Sequence, residues 1–445
     1  MEHTWKPDSW KTKPLAQAVV YPDPVALEEV LSDLSRLPPL VTSWEIERLK
    51  AELAQAGRGE RFLLQGGDCV ERMEDCYAPS IVSRLKILLK MSAMIIFGTN
   101  KPVTTVGRFA GQYAKPRSSD TETKDGVTLP TFRGPLFNHP EFEESARMLD
   151  PHLMLEVYRQ SGMTMNFIRS LVSSGFANLH HTDIWDTDEF ERFNLSKECL
   201  EIAHAVAKSV RFVEAMLARP MTELDHIAFF SSHEGLNLDY EMAHTSRVPR
   251  RAGWYDLTTH MPWIGERTRN LDGAHIEFFR GISNPIGVKI GPSVTVKEVL
   301  GLCDVLNPGN EPGRLTLIHR MGEQKIGDVL PALLESVKKA GRAVVWCCDP
   351  MHGNTFTTAD GFKTRSFDSI VSEVEQAFEL HQKSGTFLGG VHLELTSDHV
   401  TECIGGSLGL SESDLSTAYT SWVDPRLNYE QSLELSLRIA QKANK

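Results

Sequence analysis

The chain has 445 residues, a formal charge of -12, 41% apolar and 24% charged residues, which fits two ordinary globular domains or one large α/β barrel with additions. The acid excess, without a basic stripe or an interleaved aromatic platform, excludes a nucleic-acid binder. No membrane partner is expected: the opening MEHTWKPDSWKTKP lacks the apolar core of a signal peptide, and the longest apolar stretch, 87–98, carries Lys90 and is too short to cross a bilayer.

Residues 1–55 read as an extension. A helix is expected over 25–36, bounded by Pro22 and Pro24 before it and Pro38-Pro39 after it, and a second runs from Ser43 to Gly57. From residue 56 onward, short β-branched runs alternate with longer helical patterns, the mark of a parallel α/β fold. Candidate strands are 62–65, 103–107, 226–231, 258–263, 286–290, 315–319, 343–347 and 389–395. Eight such units predict a (β/α)8 barrel, a TIM barrel, with its chemistry at the carboxyl ends of the strands. A ninth run, 177–185, is left outside the barrel wall. Extra helices are expected around 186–220, where Ser196 could cap a stripe of Ile202, Val206, Val210, Val213 and Leu217 that Pro220 stops. The whole, 1–445, is read as a single catalytic domain.

Seven cysteines (Cys69, Cys76, Cys199, Cys303, Cys347, Cys348, Cys403) show no CxxC pair and no regular spacing, so reduced thiols and a cytoplasmic setting are expected. Alternation along a strand predicts that Cys347 and Cys348 face opposite sides of the wall.

Four residues with metal-ligand chemistry end or follow short apolar runs: Cys69 in FLLQGGDC, His352 in VVWCCDPMHG, Glu394 in GVHLELT and Asp424 in SWVDPRLN. A thiolate, an imidazole and two carboxylates at one barrel rim suit a catalytic divalent ion, and the thiolate favours Mn2+, Co2+, Fe2+ or Zn2+ over Mg2+. Each also has an ordinary reading taken alone. Cys69 could be a small buried hydrophobe, His352 a solvated loop residue, and Asp424 the cap of the following helix. Glu394 points the same way as His392, and a carboxylate directed into a barrel needs a cation. A second set is cationic: Arg108, Lys115, Arg117, Arg267, Lys289 and Arg320 sit at similar strand positions, where the guanidinium fork and the ammonium suit phosphate and carboxylate.

The segments GGDCVERM, GRFAGQYAKPRS, SSHEGLNLDYE, HMPWIGERTRNLDGAHIEFFRGISNPIGVKIGP, DPMHGNT and GGVHLELT, with others from WKPDSWKTKP to DPRLNYEQSLELS, resemble the type II 3-deoxy-D-arabino-heptulosonate 7-phosphate (DAHP) synthases over nearly the whole chain. That family catalyses the first step of the shikimate pathway toward chorismate and the aromatic amino acids. The resemblance implies a metal held by Cys69, His352, Glu394 and Asp424, with Mn2+ or Co2+ favoured. It implies that Arg108 and Lys115 hold the carboxylate of phosphoenolpyruvate (PEP), and that Arg267, Lys289 and Arg320, with backbone around Glu266, hold its phosphate. Arg117 and Ser118, on a loop stiffened by Pro116, would take the phosphate of erythrose 4-phosphate. Lys115 is the implied proton donor, and either Glu266 or metal-bound hydroxide would deal with the attacking water. His233 and Glu234 read as support, and Trp263 as packing of the floor.

The same resemblance implies a homo-oligomer, a dimer or a tetramer, with an aromatic amino acid effector at the extra helices and a chorismate mutase as partner. Val423 stands where some relatives carry a cysteine, so a reversible disulfide to Cys69 cannot form here. Two other classes share these features: a metal-dependent sugar-phosphate aldolase or phosphatase, and a non-catalytic effector-binding barrel.

Overall fold

A computed structural model describes residues 5–173 and 228–443, together with Glu201, Ala205 and Lys208, which are helical. The candidate strand 177–185 and nearly all of the expected helices at 186–220 lie outside the described residues.

Eight parallel strands form the central sheet: β1 (Phe62–Gly67), β2 (Val103–Arg108), β3 (Phe229–Ser231), β4 (Trp263–Ile264), β5 (Ile286–Ile290), β6 (Leu315–His319), β7 (Val345–Cys348) and β8 (Leu388–Glu394). Their order is β3-β2-β1-β8-β7-β6-β5-β4. A parallel bridge between Glu234 and Trp263 joins the two ends, so consecutive strands neighbour one another around a closed (β/α)8 wall. The expected strand 258–263 is shorter and later than predicted. Residues 258–262 approach β3 through single bonds, such as Met261 N–H to the Ser231 carbonyl at 3.3 Å, and only Trp263–Ile264 join the ladder.

Alternation divides the side chains. Leu63, Val106, Phe230, Ile318, Val345 and Cys347 face inward, and Leu49, Leu53 and Ala56 of the helix Ser43–Gly57 pack against them. That helix therefore seals the amino-terminal end of the barrel, and a Thr42–Glu45 capping box fixes its start. The first extension helix runs Pro24–Leu34, ending two residues before its expected limit, with Asp23 as its cap. Cys348 faces outward as expected, into the larger core between wall and helices. The apolar run 87–98 lies in the helix Ala78–Thr99, which packs against Tyr429–Ala443. Among the described residues no helix is long and apolar enough to cross a membrane, and six cysteines are free thiols.

The helix after β3, Leu238–Ala243, carries a buried carboxylate to the approach of β4. The Thr258 hydroxyl lies 2.6 Å from Glu241 Oε2 and 2.7 Å from Asp256 Oδ1. One hydroxyl has a single hydrogen, so one of these contacts requires a protonated carboxyl. Burial pushes Glu241 up from 4.5 to about 7, and burial together with Glu241 pushes Asp256 well above its usual range. The folded state thus holds protons that the unfolded chain has released, and stability falls as pH rises through about 7. Glu241→Gln is expected to flatten that fall, measured as Tm against pH. Parallel curves for variant and parent would refute the shared proton.

Candidate active site at the barrel mouth

The register of three strands builds the centre of the site. Gly67 pairs with Glu394 on one side and Arg108 on the other. Having no side chain, it lets the two meet across it, and a Cβ there would lie 2.8 Å from the Arg108 carbonyl oxygen. Arg108 Nη2 reaches Glu394 Oε1 at 3.1 Å, while its Nη1 donates to His392 Nε2 at 2.8 Å. Glu394 also receives Lys115 Nζ at 2.8 Å and Arg365 Nη2 at 2.8 Å, and His352 Nε2 lies 3.1 Å from it. Burial alone would protonate this carboxyl, but the charges of Lys115, Arg365 and Arg108 hold it well below the usual carboxylate range.

Asp424 arrives from the loop after β8. Glu402 anchors that loop by accepting from the backbone of Thr420, Ser421 and Arg426, and Arg426 is paired to Asp68 at 2.6 Å behind Cys69. The helix-cap reading of Asp424 is set aside, because Asn428 Oδ1 accepts from Gln431 N–H at the start of Tyr429–Ala443. Asp424 Oδ2 instead meets Lys115 Nζ at 2.7 Å, and Oδ1 meets Lys363 at 3.3 Å. Burial works against ionising Asp424, yet Lys115 and Arg365 outweigh it.

His352 sits in the turn after β7, with Nδ1 donating to Asp349 Oδ2 at 2.7 Å. Burial lowers its pKa, so the ring is neutral and Nε2 carries a lone pair toward Glu394. Ligand atoms of His352, Glu394 and Asp424 all lie within 4.8 Å of one another. Cys69, the fourth expected ligand, is buried nearby but falls outside this group; its thiol is pushed up by burial and by Glu394 and Asp424, and its Sγ lies 3.5 Å from Ser421 Oγ. Two carboxylates and an unprotonated imidazole nitrogen converging on one point require a cation, and Lys115 bridges the carboxylates there. With a thiol alongside, this donor set fits a divalent ion.

Above it opens a cavity of about 180 Å³ whose walls include Lys115, Pro116, Arg117, Ser118, Glu266, Arg267, Lys289 and Arg320, all expected from sequence. Arg267, Lys289 and Arg320 come from the ends of β4, β5 and β6, whereas Arg117 and Ser118 come from the loop after β2. Glu71 anchors that loop by accepting from the backbone of Ala110, Gly111 and Gln112. Burial lowers Lys289 to about 8 against the pull of Asp349, 2.9 Å away.

Two expected residues stand differently. Arg108 does not line the cavity: it is fully buried beneath it and committed to His392 and Glu394. Glu266 lines it, but its carboxylate accepts from Gly291 N–H at 2.7 Å and pairs with Arg269 at 3.0 Å. The less committed acid is Glu234, whose Oε1 is buried without a hydrogen-bond partner among the described residues and whose carboxyl is raised by burial against Lys289 and Lys115. Gly265 makes this possible, since a Cβ there would lie 2.0 Å from Glu234 Oε1. Trp263 also lines the cavity, with Nε1 unpartnered.

Asp349, Arg365, Lys363 and Glu402 were not singled out as functional. Asp349 appears in sequence only as part of a turn, and nothing local marks a hairpin arginine as the partner of Glu394. Because Asp349 holds both His352 and Lys289, Asp349→Asn is expected to weaken metal affinity or turnover by roughly 10–100-fold. A metal titration of activity checks this, and an unchanged half-saturation with unchanged turnover would contradict it.

Residues 5–440 match the sequence profile of the class-II DAHP synthetase family. The chain belongs to the class-II DAHP synthetase family. It is 47% identical over 435 residues to a phospho-2-dehydro-3-deoxyheptonate aldolase of Streptomyces coelicolor, covering 98% of this chain and 96% of that one. It is 44% identical over 452 residues to a protein of the same name from Neurospora crassa, with 98% and 94% covered. A third relative, phospho-2-dehydro-3-deoxyheptonate aldolase AroG of Mycolicibacterium smegmatis, is 43% identical over 440 residues, with 98% and 94% covered. A class-II DAHP synthetase uses a divalent ion, and the ligand atoms of His352, Glu394 and Asp424 are close enough together that they could hold one.

Proposed function

We propose that the barrel mouth condenses PEP with D-erythrose 4-phosphate and water to give DAHP and inorganic phosphate, the transferase reaction that opens the shikimate pathway. The observation that carries this reading is family membership over 5–440, joined to a cavity whose lining brings Lys115, Arg117, Arg267, Lys289 and Arg320 together with His352 and Asp424.

His352, Glu394, Asp424 and Cys69 hold the ion, which we assign as Mn2+ or Co2+. When bound, it supplies Lewis-acid polarisation of the aldehyde oxygen. Arg267, Lys289 and Arg320 bind the phosphate of PEP with backbone around Glu266, and Lys115 binds its carboxylate while the charge of Arg108 acts from beneath. Arg117 and Ser118, steadied by Pro116, take the phosphate of erythrose 4-phosphate. These cations offset the repulsion between two anions held face to face.

The enol carbon of PEP attacks the aldehyde carbon, and Lys115 donates a proton to the forming alkoxide. Asp424 and Glu394 overcome the effect of burial and keep Lys115 charged, so it enters as an acid. Water then adds to the cationic C2, and Glu234, rather than the committed Glu266, takes its proton. The phosphohemiketal loses phosphate by C–O cleavage, so label in the bridging oxygen of PEP is expected in the released phosphate. Its retention in DAHP would overturn the mechanism.

Metal-stripped protein is expected to consume PEP only when erythrose 4-phosphate and Mn2+ are both added. Phosphate release from a single substrate would favour the phosphatase or aldolase reading, and no turnover would favour the effector-binding barrel. The same reading takes the chain as a cytoplasmic homo-oligomer, a dimer or tetramer, with an aromatic amino acid effector and a chorismate mutase as partners. Deleting residues 186–220 should then abolish inhibition by tryptophan, tyrosine or phenylalanine.

A further inference from the structure

On the face of the wall turned away from the cavity, a second group of donors converges. Ile318 and Cys347 point into the barrel, so their neighbours His319 and Cys348 point outward, toward the helix Phe367–Ser384. There His319, Cys348 and Glu373 offer a ring nitrogen, a sulfur and a carboxylate oxygen that all lie within 4.8 Å of one another. All three side chains are fully buried.

Two features distinguish the cluster from ordinary core. Neither ring nitrogen of His319 has a hydrogen-bond partner among the described residues, although leaving a buried polar group unpaired is destabilising. Glu373 is positioned by donors alone: Oε1 accepts from the backbone of Met321 at 2.9 Å and Gly322 at 3.0 Å, and Oε2 from the Asn354 amide at 2.8 Å. These bonds orient the carboxylate but bring it no positive charge. His381, with Nε2 also unpartnered and its ring centroid 6.2 Å from that of His319, is a further donor at hand.

We propose that His319, Cys348 and Glu373 bind a structural divalent ion of the Zn2+ class, separate from the ion at the barrel mouth. Imidazole, thiolate and carboxylate are the donors such an ion takes. Binding releases the Cys348 proton to solvent, and because the donors are sealed from water the ion enters as the chain folds. Its effect is to tie β6 and β7 to the outer helix. Glu373 stands directly behind Met321, next to Arg320, and behind Asn354, two residues from His352, so the ion would steady the base on which both functional residues are set.

Full-length protein refolded with Zn2+ and washed free of loose metal is expected to hold about one equivalent per chain more than either Cys348→Ser or His319→Gln. Refolding with Co2+ in a Cys69→Ser background isolates the second site. A thiolate-to-cobalt absorption band should persist there and vanish on adding Cys348→Ser. If Cys348→Ser does not fold, His319→Gln decides the metal count, and the persistence of the band in Cys69→Ser alone decides the thiolate. A parent protein that saturates at about one equivalent, or a Cys69→Ser protein without the band, overturns the proposal.

Discussion

Glu394→Gln is expected to remove metal binding and turnover together and to destabilise the fold by about 3–5 kcal/mol, the scale for leaving buried charges uncompensated. The reason lies in the number of partners. Arg108, Lys115 and Arg365 all use this carboxylate as a counter-charge, and Arg108 and Arg365 have no exposure at all. A neutral amide leaves Arg108 and Arg365 without this counter-charge and Lys115 with Asp424 alone, in a medium that screens them poorly. Glu394 and Asp424 are both held below the usual carboxylate range. They therefore contribute stability at neutral pH that is lost as acid protonates them, and the ion should leave in the same acid range. Metal content and chemical denaturation of the purified variant provide the check. A Glu394→Gln protein with the metal stoichiometry of the parent would remove Glu394 from the ligand set.

Lys115→Met is expected to lower kcat by roughly 10²–10⁴-fold, the range for loss of a positioned proton donor, and to raise KM for PEP. Metal affinity should move the opposite way. The Lys115 ammonium bridges Glu394 and Asp424 at 2.8 and 2.7 Å and competes with any ion for the same oxygens. Removing it frees both carboxylates, so a divalent ion should bind more tightly to a much less active enzyme. A purely structural lysine would lower turnover and metal affinity together, and that outcome would refute the assignment. Lys115→Arg separates charge from proton donation: it should recover part of the PEP affinity while leaving kcat low, because a guanidinium does not release its proton at neutral pH.

Much of this architecture was legible along the chain. All eight strands overlap their predicted runs, the fourth at Trp263 alone, and the inward turn of Glu394 beside His392 follows from the two-residue period of a strand. The opposite facing of Cys347 and Cys348 follows from it as well. The weakest prediction was 258–263, where apolar residues approach β3 through isolated bonds before the ladder begins at Trp263. Its composition suits a strand, but the ladder needs a neighbour in register, and that neighbour is β5.

The site divides along the same line. Residue type and position near strand ends made candidates of Cys69, His352, Glu394 and Asp424, and of the cations Lys115, Arg117, Arg267, Lys289 and Arg320, and the resemblance joined them into one set. Which cation meets which acid was settled only by folding. Arg108, paired in register across Gly67, meets Glu394, a residue 286 positions away, and is not part of the cavity wall. Arg365 reaches Glu394 from a hairpin, Asp349 joins His352 to Lys289, and Gly291 and Arg269 occupy Glu266, while Glu234 Oε1 has no hydrogen-bond partner among the described residues. Periodicity is set by neighbouring residues and can be read from sequence, whereas pairing depends on the register of strands brought together from distant parts of the chain, and register exists only once the barrel has closed.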